Sequence, residues 1–271
     1  MGRRTTFFTL AAASAAVLAI AAAPTASIAQ EIAVPAAPAC AGPAELVRLD
    51  YILARTARQL SRAQPLRIVA IGSSSTAGAG ASSPAMSYPS RLQVDLQELF
   101  PRSPITVFSR GVGGETAVEM LARFDSGVMT EKPDLVLWQA GSNSVLREQP
   151  IAPANGLLRD GLGRLKSAGI DVVLINPQYA PKVISKPGID GMVDLIDATA
   201  REAHVNLFQR FALMRYWRLT EDIPFSTFLS SDELHMNDWS YGCLAKLLAG
   251  SIAEAATRPV PTVTAVAKPR G

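Results

Sequence analysis

The heptapeptide Ser231-Asp-Glu-Leu-His-Met-Asn237 sets a carboxylate and an imidazole three residues apart, at Asp232 and His235. One turn of chain puts both side chains on the same side. The carboxylate then accepts from one ring nitrogen while the other nitrogen faces a nucleophile. A hydroxyl is a poor nucleophile until a base takes its proton, so such a pair calls for a serine. The chain supplies a cluster of them. Ile68-Val-Ala-Ile-Gly-Ser-Ser-Ser-Thr-Ala-Gly78 is an apolar run that stops at a glycine and then presents Ser73, Ser74, Ser75 and Thr76. Only two histidines are present, and the other, His204, opens a predicted buried strand, where an imidazole more often serves structure than catalysis.

Attack on a carbonyl also needs donors for the oxyanion that forms. Arg110-Gly-Val-Gly-Gly-Glu-Thr116 offers a glycine-rich turn in which a bare backbone N–H can approach a ligand, and Trp138-Gln-Ala-Gly-Ser-Asn-Ser144 offers the side-chain amide of Asn143. Singly, each is an ordinary turn. Jointly, three successive strands end in polar Gly/Ser/Asn turns, and an Asp-x-x-His follows near the C-terminus.

The elements that must position these residues alternate in type. Predicted strands are Arg67 to Ile71, Ile105 to Ser109, Asp134 to Gln139, Asp171 to Asn176 and Val205 to Phe208. Predicted helices at Tyr88 to Phe100, Ala117 to Phe124, Pro153 to Ala168 and Met192 to Ala203 separate them. Helices at Gln209 to Leu219 and Asp238 to Ala256 follow, and one at Ala44 to Ala63 precedes. Strands joined by helices of this length predict a parallel sheet with right-handed crossovers, covered on both faces.

In these blocks the sequence resembles the SGNH hydrolases, the GDSL esterase/lipase family, from about Leu66 to Leu248. The block Gly72-Ser-Ser-Ser-Thr76 matches that family's Gly-Asp-Ser-x-Thr, Gly111-Val-Gly-Gly-Glu-Thr116 its glycine block, Gly141-Ser-Asn143 its Gly-x-Asn, and Asp232 with His235 its Asp-x-x-His. The resemblance implies an α/β fold, a flavodoxin-like three-layer α/β/α sandwich with a five-stranded parallel sheet. It also implies a Ser74, His235 and Asp232 triad and an oxyanion hole from the N–H groups of Ser74 and Gly114 with the Asn143 side chain. Turnover of small-molecule or glycan esters would need no metal or other cofactor. O-acyl transfer to a glycan, or a catalytically silent carbohydrate-binding protein, are the alternatives on the same fold. The sequence departs from the pattern at Ser73, where the family usually has Asp, and at Ser144, where it often has a second acid.

Length and composition fit one domain with enough apolar content for a substantial core, and no internal repeat is present. Arg3 and Arg4, an Ala-rich apolar run and Ser27-Ile-Ala29 read as a signal peptide over residues 1–29, hence a periplasmic or secreted protein. An Ala/Pro-rich linker over 30–43, a hydrolase domain over 44–256 and a loose tail over 257–271 complete the predicted organisation. Export would leave 24 basic against 23 acidic side chains, which does not point to nucleic acid. The series Arg48, Arg55, Arg58 and Arg62 fits a solvated helix face. Cys40 and Cys243 suit either a disulfide or two separate thiols, and no metal-ligand spacing occurs. Tyr88, Trp138, Met192, Trp217 and Trp239 are candidates for a pocket lining or for the core, and Pro177 to Gly191 for a rim.

Overall fold

The computed structural model describes residues 1–2 and 37–259, and the compact unit begins at Pro38. The predicted signal peptide, most of the linker and most of the tail lie outside the described residues. In chain order the elements are α1 (Ala44–Val47), α2 (Ala54–Ser61), β1 (Leu66–Gly72), α3 (Ser74–Ala77), α4 (Tyr88–Leu99), β2 (Ile105–Gly111), α5 (Ala117–Ala122) and α6 (Phe124–Gly127). There follow β3 (Leu135–Gln139), α7 (Ser142–Leu146), α8 (Ala152–Ser167), β4 (Asp171–Ile175), α9 (Pro181–Ile184) and α10 (Ile189–Ala203). The chain closes with β5 (Asn206–Phe208), α11 (Arg210–Leu219), α12 (Phe225–Phe228) and α13 (Asp238–Thr257).

All five strands are parallel, in the order β2-β1-β3-β4-β5. This is the flavodoxin-like strand order, with α4 and α13 packed on one face and α5, α8 and α10 on the other, so the expected three-layer sandwich holds. The sequence explains which strands are central. The β3 run Leu-Val-Leu-Trp-Gln is buried at every position, as a strand covered on both faces must be, whereas β2 mixes buried and exposed residues as an edge strand does. Trp138 fills the layer beneath α8 and meets the Phe124 ring at 5.1 Å between centroids.

The predicted helix over Ala44 to Ala63 is two short helices instead, with non-helical chain that bends at Asp50 and Tyr51 between α1 and α2. Its helical periodicity lost to tertiary hydrogen bonds. Tyr51 N–H donates to Asn206 Oδ1 at 2.8 Å, Asn206 Nδ2 donates to the Tyr51 carbonyl, and the Arg258 guanidinium donates to the carbonyls of Leu49 and Asp50. With its backbone groups taken, the segment buries Leu49 and Leu53 without being helical. Arg55 is not a free surface charge either, since its Nε donates to Asp134 at 2.8 Å. Likewise the predicted Ala117 to Phe124 helix breaks at Arg123, whose guanidinium turns back toward the sheet.

Cys40 and Cys243 form a disulfide across a sequence separation of 203. Closing so long a loop stabilises the fold by about 5 kcal/mol in the chain-entropy account. Residues 38–43, expected as a linker, therefore pack on the domain. The Trp239 indole donates to the Pro38 carbonyl at 3.1 Å and the Trp217 indole to the Ala41 carbonyl at 2.7 Å.

Candidate active site

Ser74 is the first residue of α3, one residue beyond the turn that ends β1. A helix provides no acceptor for its first N–H groups, so the Ser74 N–H has no partner within α3. The hydroxyl lies 2.8 Å from His235 Nε2, across 161 residues of sequence. On the far side of the ring, His235 Nδ1 meets Asp232 Oδ2 at 2.5 Å. Of the three adjacent serines the structure thus brings Ser74 to the imidazole. Ser75 is buried against the turn, and Ser73 faces the sheet.

The Asp232 carboxylate is held in place by more than the ring. Its Oδ1 accepts from Ser230 Oγ at 2.6 Å and from the N–H groups of Leu234 and His235, both at 2.9 Å. Burial opposes its ionisation. The hydrogen bonds from Ser230, the His235 ring and the two backbone N–H groups outweigh that effect, and hold the carboxyl well below the usual carboxylate range. An anion so held accepts from Nδ1–H and leaves Nε2 with a lone pair for the Ser74 proton. The arrangement can therefore take a proton from the hydroxyl during attack and return it to a leaving group.

Ser74, Gly114 and Asn143 follow the ends of β1, β2 and β3, which are neighbours in the sheet. Gly114 adopts φ +82°, a backbone conformation that only glycine takes freely, and its carbonyl accepts from Arg147 Nη2 at 2.6 Å. Asn143 Nδ2 donates to the Glu115 carbonyl at 2.8 Å. One amide proton thus ties the β3 turn to the glycine loop, and the amide carries a second proton that this bond does not use. Arg123 fastens the same loop from below. Its Nε and Nη2 reach the Glu115 carboxylate at 2.8 and 2.6 Å, and Nη2 also donates to the Arg110 carbonyl at 2.8 Å and the Gly72 carbonyl at 3.3 Å.

Ser73 has a role of its own. Its N–H and Oγ both donate to Gln139 Oε1, at 3.1 and 3.2 Å, and Thr76 Oγ1 approaches the same oxygen at 3.4 Å. A neutral amide at the end of β3 thus lies under the turn that carries Ser74, and Ser73, which stands where the resembled pattern usually has Asp, donates to it. Thr76 Oγ1 also meets the buried Tyr88 hydroxyl, whose pKa burial pushes up to about 12 against the hydrogen bond from Thr76 and the charge of Arg210.

His204 is at the opposite edge of the sheet, capping α10 with its Nδ1 3.4 Å from the Tyr51 hydroxyl. A cleft of about 340 Å³ there is lined by Tyr51, Arg55, Arg58 and His204 and includes none of the residues around Ser74. The aromatic and Met candidates resolve into core: Tyr88, Trp138, Met192 and Trp217 are fully buried, and Trp239 packs on Trp217. The stretch after β4 does reach the site, since the Lys182 N–H donates to the Glu233 carbonyl at 3.3 Å. Gln139, Gln178 and Arg210 were not singled out from sequence. Their signal was a polar residue at or just past the carboxyl end of an apolar strand, where α/β sheets place ligands.

Among solved structures, the fold is similar to a two-domain esterase (CEX) active on acetylated mannans, at 18% identity and TM-score 0.68 over 83% of this chain. This chain spans only 60% of the length of that protein. It is also similar to the acetylxylan esterase Axe2 from Geobacillus stearothermophilus, at 19% identity and TM-score 0.59 over 69% of this chain and 94% of that one. A third likeness is to LAE5, an alpha/beta hydrolase enzyme from the metagenome of Lake Arreo, Spain, at 20% identity and TM-score 0.58 over 69% and 96% of the two chains. No curated protein sequence matches. The family model described as the Non-GDSL lipase-like family matches residues 39–258, the whole stretch from the disulfide strap to the end of α13, and the chain belongs to that family.

Proposed function

We propose that the protein is an exported serine esterase of SGNH type that hydrolyses carboxylic esters through an acyl-enzyme. Ser74 attacks the ester carbonyl as His235 Nε2 takes its proton, and Asp232 orients the ring and stabilises the imidazolium. The N–H groups of Ser74 and Gly114 and the free Asn143 amide proton receive the oxyanion. His235 then protonates the departing alcohol and next activates the water that frees the acyl group.

The observation that carries this reading is the continuous line from Ser74 Oγ to His235 at 2.8 Å and on to Asp232 at 2.5 Å. The similar proteins named as acting on acetylated mannans or xylan favour acetyl esters on glycans as the substrate class. Export and a mature domain of about 44–256 belong to the same proposal, and the disulfide supports an oxidising compartment. The test is turnover of an aryl acetate and of acetylated xylo- and manno-oligosaccharides by purified protein. Ser74→Ala and His235→Ala should each lower kcat by about three orders of magnitude or more. Wild-type rates in either variant would sink the assignment.

A further inference from the structure

The Gln178 side chain lies just beyond the end of β4, fully buried, and each of its ends is committed. Its Oε1 accepts from Ser142 Oγ at 2.7 Å and from Arg210 Nη2 at 3.0 Å, and its Nε2 donates to the Leu234 carbonyl at 3.3 Å. Ser142 precedes Asn143, and Leu234 precedes His235. One amide therefore spans two segments that come from distant parts of the chain, the turn that carries the oxyanion amide and the loop that carries the base.

Arg210 anchors that amide. It is fully buried at the start of α11, where its Nε donates to the Asn176 carbonyl at 3.0 Å. Asn176 Oδ1 in turn accepts from the Phe211 N–H at 2.8 Å, so the end of β4 and the start of α11 are joined twice. Among the described residues no carboxylate pairs with Arg210, and its Nη1 has no partner. Burial pushes the guanidinium pKa down to about 10 against the pull of Tyr241 and Tyr88, so it stays a cation at neutral pH. A buried charge without a counter-ion is costly, which makes every hydrogen bond it does form hard to give up. The Gln178 oxygen is thereby held in one orientation, and its nitrogen faces Leu234.

We propose that Gln178, fixed by Arg210, is a positioning residue that sets the spacing between the base loop at His235 and the oxyanion turn at Asn143. This rests on the hydrolase reading above. Such a residue touches no substrate. It acts by holding two reacting parts in register, where a shift of about 1 Å costs on the order of 100-fold in rate.

The substitution Gln178→Glu separates this role from ordinary packing. The acid keeps both acceptor contacts, to Ser142 and Arg210, and gives Arg210 the counter-charge it lacks. It loses the donor to Leu234 and sets an oxygen against that carbonyl, so strain falls on the base loop alone. The expected result is a kcat lower by about 30- to 100-fold with KM within about threefold, and a melting temperature no lower than wild type. Undiminished kcat overturns the proposal, and so does a kcat that falls only in step with a fall in melting temperature. Should Gln178→Glu not fold, Ser142→Ala carries the test, because it cuts one tie and leaves Arg210 its partner. The same split between kcat and KM is then expected, and wild-type kcat refutes it. A wild-type protein that turns over no ester sinks the hydrolase reading itself, whereas an active wild type with an equally active Gln178→Glu sinks only this inference.

Discussion

Replacing Gly80 with Ala tests whether the hydrogen bond between His235 and Ser74 is held from behind. Gly80 has φ +87°, and a Cβ built there would stand 2.3 Å from the Met236 carbonyl oxygen and 2.8 Å from His235 Cβ. Ordinary van der Waals contact begins at about 3.4 Å. Relieving the clash therefore moves the Met236 carbonyl or the Gly80 loop by about 1 Å, and residue 235 is attached to the first. The left-handed backbone adds about 1–2 kcal/mol of strain for a residue with a Cβ. A His235 Nε2 displaced by that much from Ser74 Oγ, now at 2.8 Å, no longer holds its hydrogen bond. We expect kcat/KM for an aryl acetate to fall by about 100-fold, with a modest loss of melting temperature. Gly163→Ala is the control, since no atom lies within 4 Å of its added Cβ inside α8, and alanine there should stabilise the helix slightly without changing rate. If Gly80→Ala retains kcat/KM within threefold of wild type, the base is not positioned by this contact, and the reasoning from it fails.

Two further outcomes follow from the polar groups around the triad. Ser73→Asp should cost about 3 kcal/mol, because Ser73 is 3% exposed and a carboxylate there would face Gln139 Oε1, which now accepts from it. Thermal melting reads this as a drop of about 10 °C, and an unchanged melting temperature would show that the neutral floor tolerates the acid found in the related pattern. The second outcome concerns acid. Asp232 has its folded pKa depressed, so the stability it contributes is full above the unfolded value of about 3.9 and is lost as pH falls through the folded value. The carboxylate is 42% exposed, so solvent screening limits the gain to about 1 kcal/mol. Urea unfolding of wild type and Asp232→Asn should differ most near neutral pH and converge as pH drops from about 5 toward 2. A difference that grows in acid contradicts the assignment.

The strands and the blocks at their ends were legible because each depends on local pattern. Apolar runs such as Ile68 to Ile71 and Leu135 to Trp138, short and closed by glycine-containing turns, read as buried strands and are buried strands in the sheet. Legibility failed where distant groups decide. Nothing near Arg48 to Leu53 announces that Asn206 and Arg258 will take its backbone hydrogen bonds and break a helix in two. The same holds for the aromatic candidates: Trp138 and Trp217 carry no local sign of whether they face a cleft or the core, and burial settled it. Gln139 was visible as a polar end to an apolar strand, but its task depends on Ser73 and Thr76 across the sheet.

The spacing of Asp232 and His235 also explains why the pair can be trusted to so short a loop. Because both residues lie within four positions, their relative geometry is fixed by local bonds: Ser230 Oγ and the N–H groups of Leu234 and His235 all converge on one carboxylate oxygen, leaving the other for the ring. In the proposed mechanism the loop is thus a preassembled acid–base unit, and the fold has only to dock it. Docking relies on contacts that touch the loop rather than the triad, through Gly80 behind His235, Lys182 at Glu233 and Gln178 at Leu234. The Ser74 turn is docked separately, by Gln139 under Ser73 and Arg123 under Gly72. A site divided in this way loses rate by sliding one unit against the other long before either unit unfolds. Substitutions at Gly80 and Gln178, behind the His235 loop, should therefore lower kcat with at most a modest loss of stability, while those within the loop's own hydrogen bonds lower both.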